Sequence, residues 1–190
     1  MANRAHLHDG NLPFATVPAA VDTMPGRVRI TGEDQHCAPE DIGEGGENQI
    51  GRLRHMYGDR GRFPLVIRTR IGKGFGYGGQ HSLDPCAYFS QFPGWRVVAP
   101  STPFDYIGLF NTAIAYEDPV LVVEHGMLYA EKGQVPADTL DYLCPYGKAK
   151  VVRPGTDVTV LTYLTGVRQS LQAAEALAEE GIEAEVIDMR

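Results

Sequence analysis

The 190-residue chain has few cysteines, no excess of basic charge and no long apolar run. Its three cysteines, Cys37, Cys86 and Cys144, are widely spaced and form no CxxC pair. That leaves out a disulfide framework and a zinc knuckle, and it fits a reducing cytoplasm. Acidic residues outnumber basic ones by 24 to 17, for a formal charge of -7. A phosphate-backbone binder needs a basic stripe, so nucleic acid is not an expected partner. Apolar runs such as Val120 to Val123 fall far short of the roughly 20 residues of a membrane helix. The first residues lack the basic stretch, apolar segment and small-residue cleavage site of a signal peptide, and the expectation is a cytoplasmic chain with no membrane partner. His6, His8, His36, His55, His81 and His125 form no HExxH or similar spacing, which argues against a metal held by side chains.

What the chain does have is enough apolar residue, 43%, to bury a core, and 22 glycines with 13 prolines, which imply extensive loops. Its length suits one domain and part of another. Met1 to Pro25 shows no periodicity and reads as an irregular arm. Val28 and Ile30 suggest a short strand, and Gln35 to Glu47 has the composition of an acidic loop. Ile50, Leu53 and Met56 share one helical face that stops at Gly58. Pro64 to Arg68 reads as a buried strand, followed by a loop with five glycines between Gly72 and Gly79. Asp84-Pro85 and Thr102-Pro103 look like two helix starts, the first helix ending at Phe92-Pro93-Gly94 and the second running to about Tyr116. Arg96 to Ala99 and Pro119 to Glu124 are strands. Strand, helix and strand in this rhythm predict a parallel sheet. Beyond a connection at 136–154, residues Asp157 to Tyr163, the Val167, Leu171, Ala174, Leu177 stripe and Glu183 to Asp188 form one β-α-β unit.

The glycine loop fits neither GxGxxG nor GxxxxGK[ST], so a plain flexible loop competes with a ligand loop. His81 follows that loop beside Ser82, and His125 follows Glu124 at a strand end, where open parallel sheets bind ligands. A hydrogen-bonded loop histidine is the competing reading of each. From the residues alone, an α/β protein with a site near His81 and His125 can be reached, and a reaction cannot.

Several segments, in order, resemble a known family: Pro64-Leu65-Val66-Ile67-Arg68, the glycines, Gln80-His81-Ser82, Ala87-Tyr88-Phe89, Pro93-Gly94-Trp95-Arg96-Val97-Val98-Ala99-Pro100 and Asp118-Pro119-Val120 to Glu124-His125. Gly147-Lys148-Ala149, Gly155 to Val160 and Val186 to Arg190 continue the likeness. The family is the beta subunit of the thiamine-diphosphate-dependent component of 2-oxoacid dehydrogenases, of the pyruvate or branched-chain type. The resemblance implies an oxidoreductase with a transketolase-like, parallel-sheet α/β fold. Residues 26–135 would be a reduced pyrimidine-binding domain, 136–154 a linker and 155–190 the start of a C-terminal domain, with 1–25 as the arm. It implies a heterotetramer of this chain, a second beta subunit and alpha-type subunits, with the alpha side holding Mg2+, and a lipoyl-bearing acyltransferase core as a further partner. It implies oxidative decarboxylation of a 2-oxo acid with acyl transfer to lipoyl, His81 and Ser82 lying at the active centre. A potassium-like monovalent cation would be held by carbonyls of Leu65, Val66, Ala113, Tyr116 and Asp118.

The departures from that pattern carry their own implication. After Gly32-Glu33-Asp34 the chain reaches Asn48-Gln49 within a dozen residues, where the family has a far longer segment. That segment carries the family's glutamate for the aminopyrimidine ring and the aromatic residue that stacks on it. Glu44 and Glu47 are the carboxylates left to stand in, and a general acid must come within hydrogen-bond reach of its ring nitrogen. Three readings stay open: a shortened beta-type subunit working with another chain, a non-catalytic descendant that serves as an interaction or scaffold subunit, and an incomplete fragment.

Overall fold

In the computed structural model, residues 11–13, 28–30, 46–59 and 62–190 are described. Strands β1 (Asn11–Pro13) and β2 (Val28–Ile30) precede helix α1 (Gly46–Met56) and strand β3 (Leu65–Ile71). A single helical turn, α2 (Cys86–Phe89), leads to β4 (Arg96–Val98), α3 (Pro103–Ala115) and β5 (Val120–His125). Strand β6 (Lys132–Gln134) follows, and the C-terminal unit comprises β7 (Lys150–Arg153), β8 (Val158–Thr162), α4 (Thr165–Glu179) and β9 (Ala184–Asp188).

The central sheet is all parallel, in the order β2-β3-β5-β4, with Val66 opposite Val120 and Ile71 opposite His125. Every residue of β5 is buried, so Val120 to Val123 is a continuous apolar run with no alternation before Glu124 and His125. Leu65, Ile67, Ile71, Leu121 and Val123 face one cluster with Phe89, Trp95, Leu128 and Leu164. Val98, Val120 and Val122 face the other, under Tyr106, Leu109, Phe110 and Ala113 of α3. At roughly 1.5–3 kcal/mol per buried aliphatic side chain, these two layers supply most of the drive to fold. Helix α3 starts as the sequence predicts: the Thr102 hydroxyl accepts the Asp105 N–H and Pro103 takes the first helical position.

Five expectations change. The helix foreseen from Asp84 to Phe92 is only α2, because Trp95 must return to meet Phe89 edge-on at 4.9 Å. That return needs Gly94 at φ +96°, packed so closely on the Gly51 carbonyl that a Cβ would overlap it. Strand β3 runs on to Ile71, since its pairing with β5 continues to His125. The connection from 136 onward is packed, not free: Cys144 lies in the α3 cluster, the Cys144 N–H donates to the Gly108 carbonyl at 3.0 Å, and β7 pairs antiparallel with β9. The C-terminal unit is therefore a three-stranded sheet, β7-β9-β8, with α4 on it, where a bare β-α-β was expected. Within the N-terminal arm, β1 pairs antiparallel with β6.

The C-terminal unit is seated firmly against the rest. Leu164 is buried in the first cluster, and the Ala99 N–H donates to the Arg190 carbonyl at 3.0 Å. Ser101 donates to the buried Asp188, and Arg190 pairs with the fully buried Asp105 at 2.7 Å. Burial raises the Asp188 carboxyl above its ordinary range, against the pull of the Ser101 hydrogen bond.

Candidate functional site

Parallel sheets bind ligands at the carboxyl ends of their strands, and here that edge holds the ends of β3 and β5 with the loops that follow them. The glycine-rich loop leaves β3 and returns at His81, whose carbonyl accepts the Gly72 N–H at 2.6 Å. A Cβ on Gly72 would press on that carbonyl and on the Tyr77 ring, so the loop closes only without a side chain there. His81 and Ser82 are half-buried, and the His81 ring stands edge-on to Tyr77 at 6.3 Å. His125, at the end of β5, is 5% exposed. Its Nδ1 accepts the Met127 N–H at 3.2 Å, so the neutral ring carries its proton on Nε2. Burial pulls the His125 pKa below its ordinary value, Asp84 pushes it back up and Lys73 lowers it again. The structure thus brings to one edge the two histidines that the sequence singled out.

Two carboxylates at this edge have long-range partners that the sequence does not name. Glu124 is 3% exposed, with its two oxygens shared among Arg68 at 2.6 and 3.1 Å, the Tyr106 hydroxyl at 2.7 Å and the Tyr129 hydroxyl at 2.8 Å. Burial, then the neighbouring Glu124 charge, pushes the Tyr106 hydroxyl upward, and the same order of causes acts on Tyr129. Asp84 accepts the Cys86 N–H at 2.9 Å and, from across the molecule, the Tyr163 hydroxyl at 2.8 Å. The available hint was an acid ending an otherwise apolar strand, which must find a cation once buried.

At the opposite edge the sequence-proposed cation ligands share one neighbourhood. Leu65 and Val66 open β3, Ala113 and Tyr116 close α3, and the Phe63 N–H donates to the Glu117 carbonyl at 2.9 Å. The Asp118 carboxylate is taken by Arg54 at 2.8 Å and Arg96 at 2.9 Å, which leaves main-chain oxygens as donors for a cation. Among the described residues no group of three His, Cys, Asp or Glu side chains could hold a metal. Glu44 lies outside the described residues, and Glu47 falls in the first turn of α1. No helix among the described residues is long and apolar enough to cross a membrane.

Asp118 gives a pH prediction. Burial pushes its carboxyl up, but the hydrogen bonds from Arg54 and Arg96 outweigh that and hold it below its ordinary range. A depressed carboxylate stabilises the fold above its unfolded pKa, and that contribution disappears as pH falls through the folded value. The guanidinium groups are 38% and 32% exposed, so solvent screens the cluster. Asp118→Asn is expected to cost about 1 kcal/mol at pH 7 in urea unfolding, and the gap from the natural chain should close below about pH 4. A gap that stays constant with pH would show that the charge is not what matters.

A parallel α/β sheet whose carboxyl edge carries the two histidines, with a second α/β unit seated beside it, defines a two-unit α/β protein. Residues 51–132 match the transketolase pyrimidine binding domain and 147–190 the transketolase C-terminal domain, so the chain carries these two transketolase-type domains. Over 143 residues, 75% of this chain and 42% of the relative, it is 45% identical to the beta subunit of acetoin:2,6-dichlorophenolindophenol oxidoreductase of Cupriavidus necator. It is 43% identical over 144 residues, 75% of this chain and 43% of the relative, to the 2-oxoisovalerate dehydrogenase beta subunit of Bacillus subtilis. With the pyruvate dehydrogenase E1 component beta subunit of Chlorokybus atmophyticus it shares 42% identity over 142 residues, 75% of this chain and 42% of that one. The chain spans less than half the length of these relatives. Among solved structures, a split-gene transketolase described as an inactive beta4 tetramer superposes with a TM-score of 0.53 at 21% identity, over 75% of this chain and 46% of that one. A transketolase from Pichia stipitis gives 0.57 at 16% identity, over 77% and 21%. These two likenesses show the fold.

Proposed function

We propose that the chain is a beta-type subunit of a thiamine-diphosphate-dependent 2-oxoacid dehydrogenase, with an alpha-type subunit and a second beta-type subunit as partners and a lipoyl-bearing acyltransferase as acceptor. The observation that carries this reading is the carboxyl edge of the sheet, where His81, Ser82 and His125 are gathered around a loop closed by Gly72. The kinship with three beta subunits of this class supports it. When bound, thiamine diphosphate supplies the nucleophilic carbon and the electron sink for decarboxylating a 2-oxo acid. The described residues do not by themselves fit its aminopyrimidine ring, because, of the carboxylates beside the histidines, Glu124 is filled by Arg68, Tyr106 and Tyr129, and the exposed Asp84 is turned to Cys86 and Tyr163. The proposal has the ring acid come from another chain, together with Mg2+ on the alpha side. This chain contributes the half-buried His81 imidazole as its acid–base group, with the Ser82 hydroxyl beside it. Neutral His125 offers an Nε2–H to the same edge. A monovalent cation at the carbonyls of Leu65, Val66, Ala113, Tyr116 and Asp118 would tie β3 to the end of α3.

Mixing the full chain with an alpha-type subunit, thiamine diphosphate and Mg2+ tests the reading. A complex in sedimentation and cofactor-dependent carbon dioxide release from pyruvate or a branched 2-oxo acid are expected. A stable complex without turnover would point to a scaffold subunit, and neither complex nor turnover with any alpha-type chain would overturn the reading.

A further inference from the structure

The loop bearing His81 and Ser82 has little apolar anchorage before the buried Pro85: Leu83 is 50% exposed and Asp84 faces solvent. Its first end is fixed by the Gly72–His81 backbone bond. Its second end is fixed at Asp84, three residues on, by one bond within its own turn and one from Tyr163, which lies 79 residues away in the C-terminal unit. Tyr163 is delivered there by an unusual backbone. Leu164 has φ +50° and ψ −131°, a conformation costly for a residue with a side chain, and it is held because Leu164 is 3% exposed in the apolar cluster under the sheet. The strain sits where β8 passes into α4, directly after Tyr163, whose hydroxyl reaches the loop at Asp84.

We propose that Tyr163 is a positioning residue: through Asp84 it holds the His81–Ser82 loop in place, so that the C-terminal unit completes the site of the first domain. This rests on the functional reading above for its purpose, but not for its structural content. Asp84 has a second influence at the same edge, since its charge raises the pKa of His125 against desolvation. The other groups acting on that ring are Lys73, which opposes it, and the Met127 N–H on Nδ1.

The experiment is hydrogen exchange of the full chain with histidine titration by NMR, in the natural protein, Tyr163→Phe, Asp84→Asn and Arg168→Gln. The last variant breaks another long-range contact of the C-terminal unit, Arg168 with Glu131, without touching Asp84. Losing one charge-assisted hydrogen bond should speed amide exchange across residues 80–86 by on the order of five- to tenfold in Tyr163→Phe and Asp84→Asn, and leave Arg168→Gln near the natural rate. Asp84→Asn should also move the His125 titration to lower pH. Unchanged exchange in Tyr163→Phe, or an equal rise in Arg168→Gln, would overturn the assignment. Neither measurement needs cofactor or turnover, so a catalytically silent protein would refute the functional reading and leave this one standing.

Discussion

Replacing Glu124 by alanine is expected to cost about 3–5 kcal/mol of folding stability, a large share of the roughly 5–15 kcal/mol a domain of this size has. The carboxylate lies at the end of β5, 3% exposed, and takes two hydrogen bonds from Arg68 and one each from Tyr106 and Tyr129. Arg68 sits over the Tyr106 and Phe110 rings, at 6.0 and 5.8 Å from their centroids, so its charge is partly withdrawn from water. Removing the acid takes the anion from that cation and the Glu124 acceptor from the buried Tyr106 and half-buried Tyr129 hydroxyls, whose desolvation cost remains. In urea the unfolding midpoint of the full chain should fall with little change in slope. Glu124→Gln, which keeps shape and acceptor but not charge, should lose less. Because the groups form one network, Arg68→Met combined with Glu124→Ala should cost less than the two changes added. A loss under about 1 kcal/mol in Glu124→Ala would mean that the strand end is held by packing alone.

The contrast between this network and the elements around it shows what a linear sequence can carry. The start of α3 was legible because its information is local: Thr102 accepts a bond from a residue three positions on, and Pro103 fixes its own backbone. A parallel sheet was legible in outline, since strands alternating with helices leave few arrangements, and so was a site near His81 and His125, while the direct pairing of β3 with β5 across α2, β4 and α3 was not. Glu124 with Arg68 and Tyr106 was not, because its partners come from β3, from α3 and from beyond β5, and nothing near Glu124 announces them. The same holds for Asp84, whose capping role toward Cys86 was visible while its bond from Tyr163, 79 residues away, was not. Strand β7 was hidden for a different reason. It is short, bounded by Gly147 and Pro154, and its register shifts between Val151 and Arg153, so only pairing with β9 defines it. Local chemistry survives in the sequence, and long-range satisfaction of buried groups has to be found in the fold.

For activity the largest effect is expected at His81. With an alpha-type partner, thiamine diphosphate and Mg2+ present, His81→Ala should lower acyl transfer to a lipoyl domain by about 10²–10⁴-fold, the usual reach of a positioned acid–base group. The geometry behind this is the loop: the His81 carbonyl is locked to the Gly72 N–H at 2.6 Å, and the ring is turned edge-on to Tyr77 at 6.3 Å, so the imidazole is held rather than free to swing. Because the locking bond is made by the backbone, alanine keeps it, and the variant should retain its urea midpoint and its affinity for the alpha-type chain within about twofold. That separates a chemical loss from a folding loss. His125 cannot stand in for it, since its Nδ1 is committed to the Met127 N–H and desolvation disfavours its charged form. The ring at position 81 should therefore be replaceable only by another group able to exchange a proton. His81→Gln, which keeps polarity and loses that ability, should be nearly as impaired as alanine. Full transfer by His81→Ala would remove this residue from the site, and full transfer by His81→Gln alone would reduce its part to a hydrogen bond.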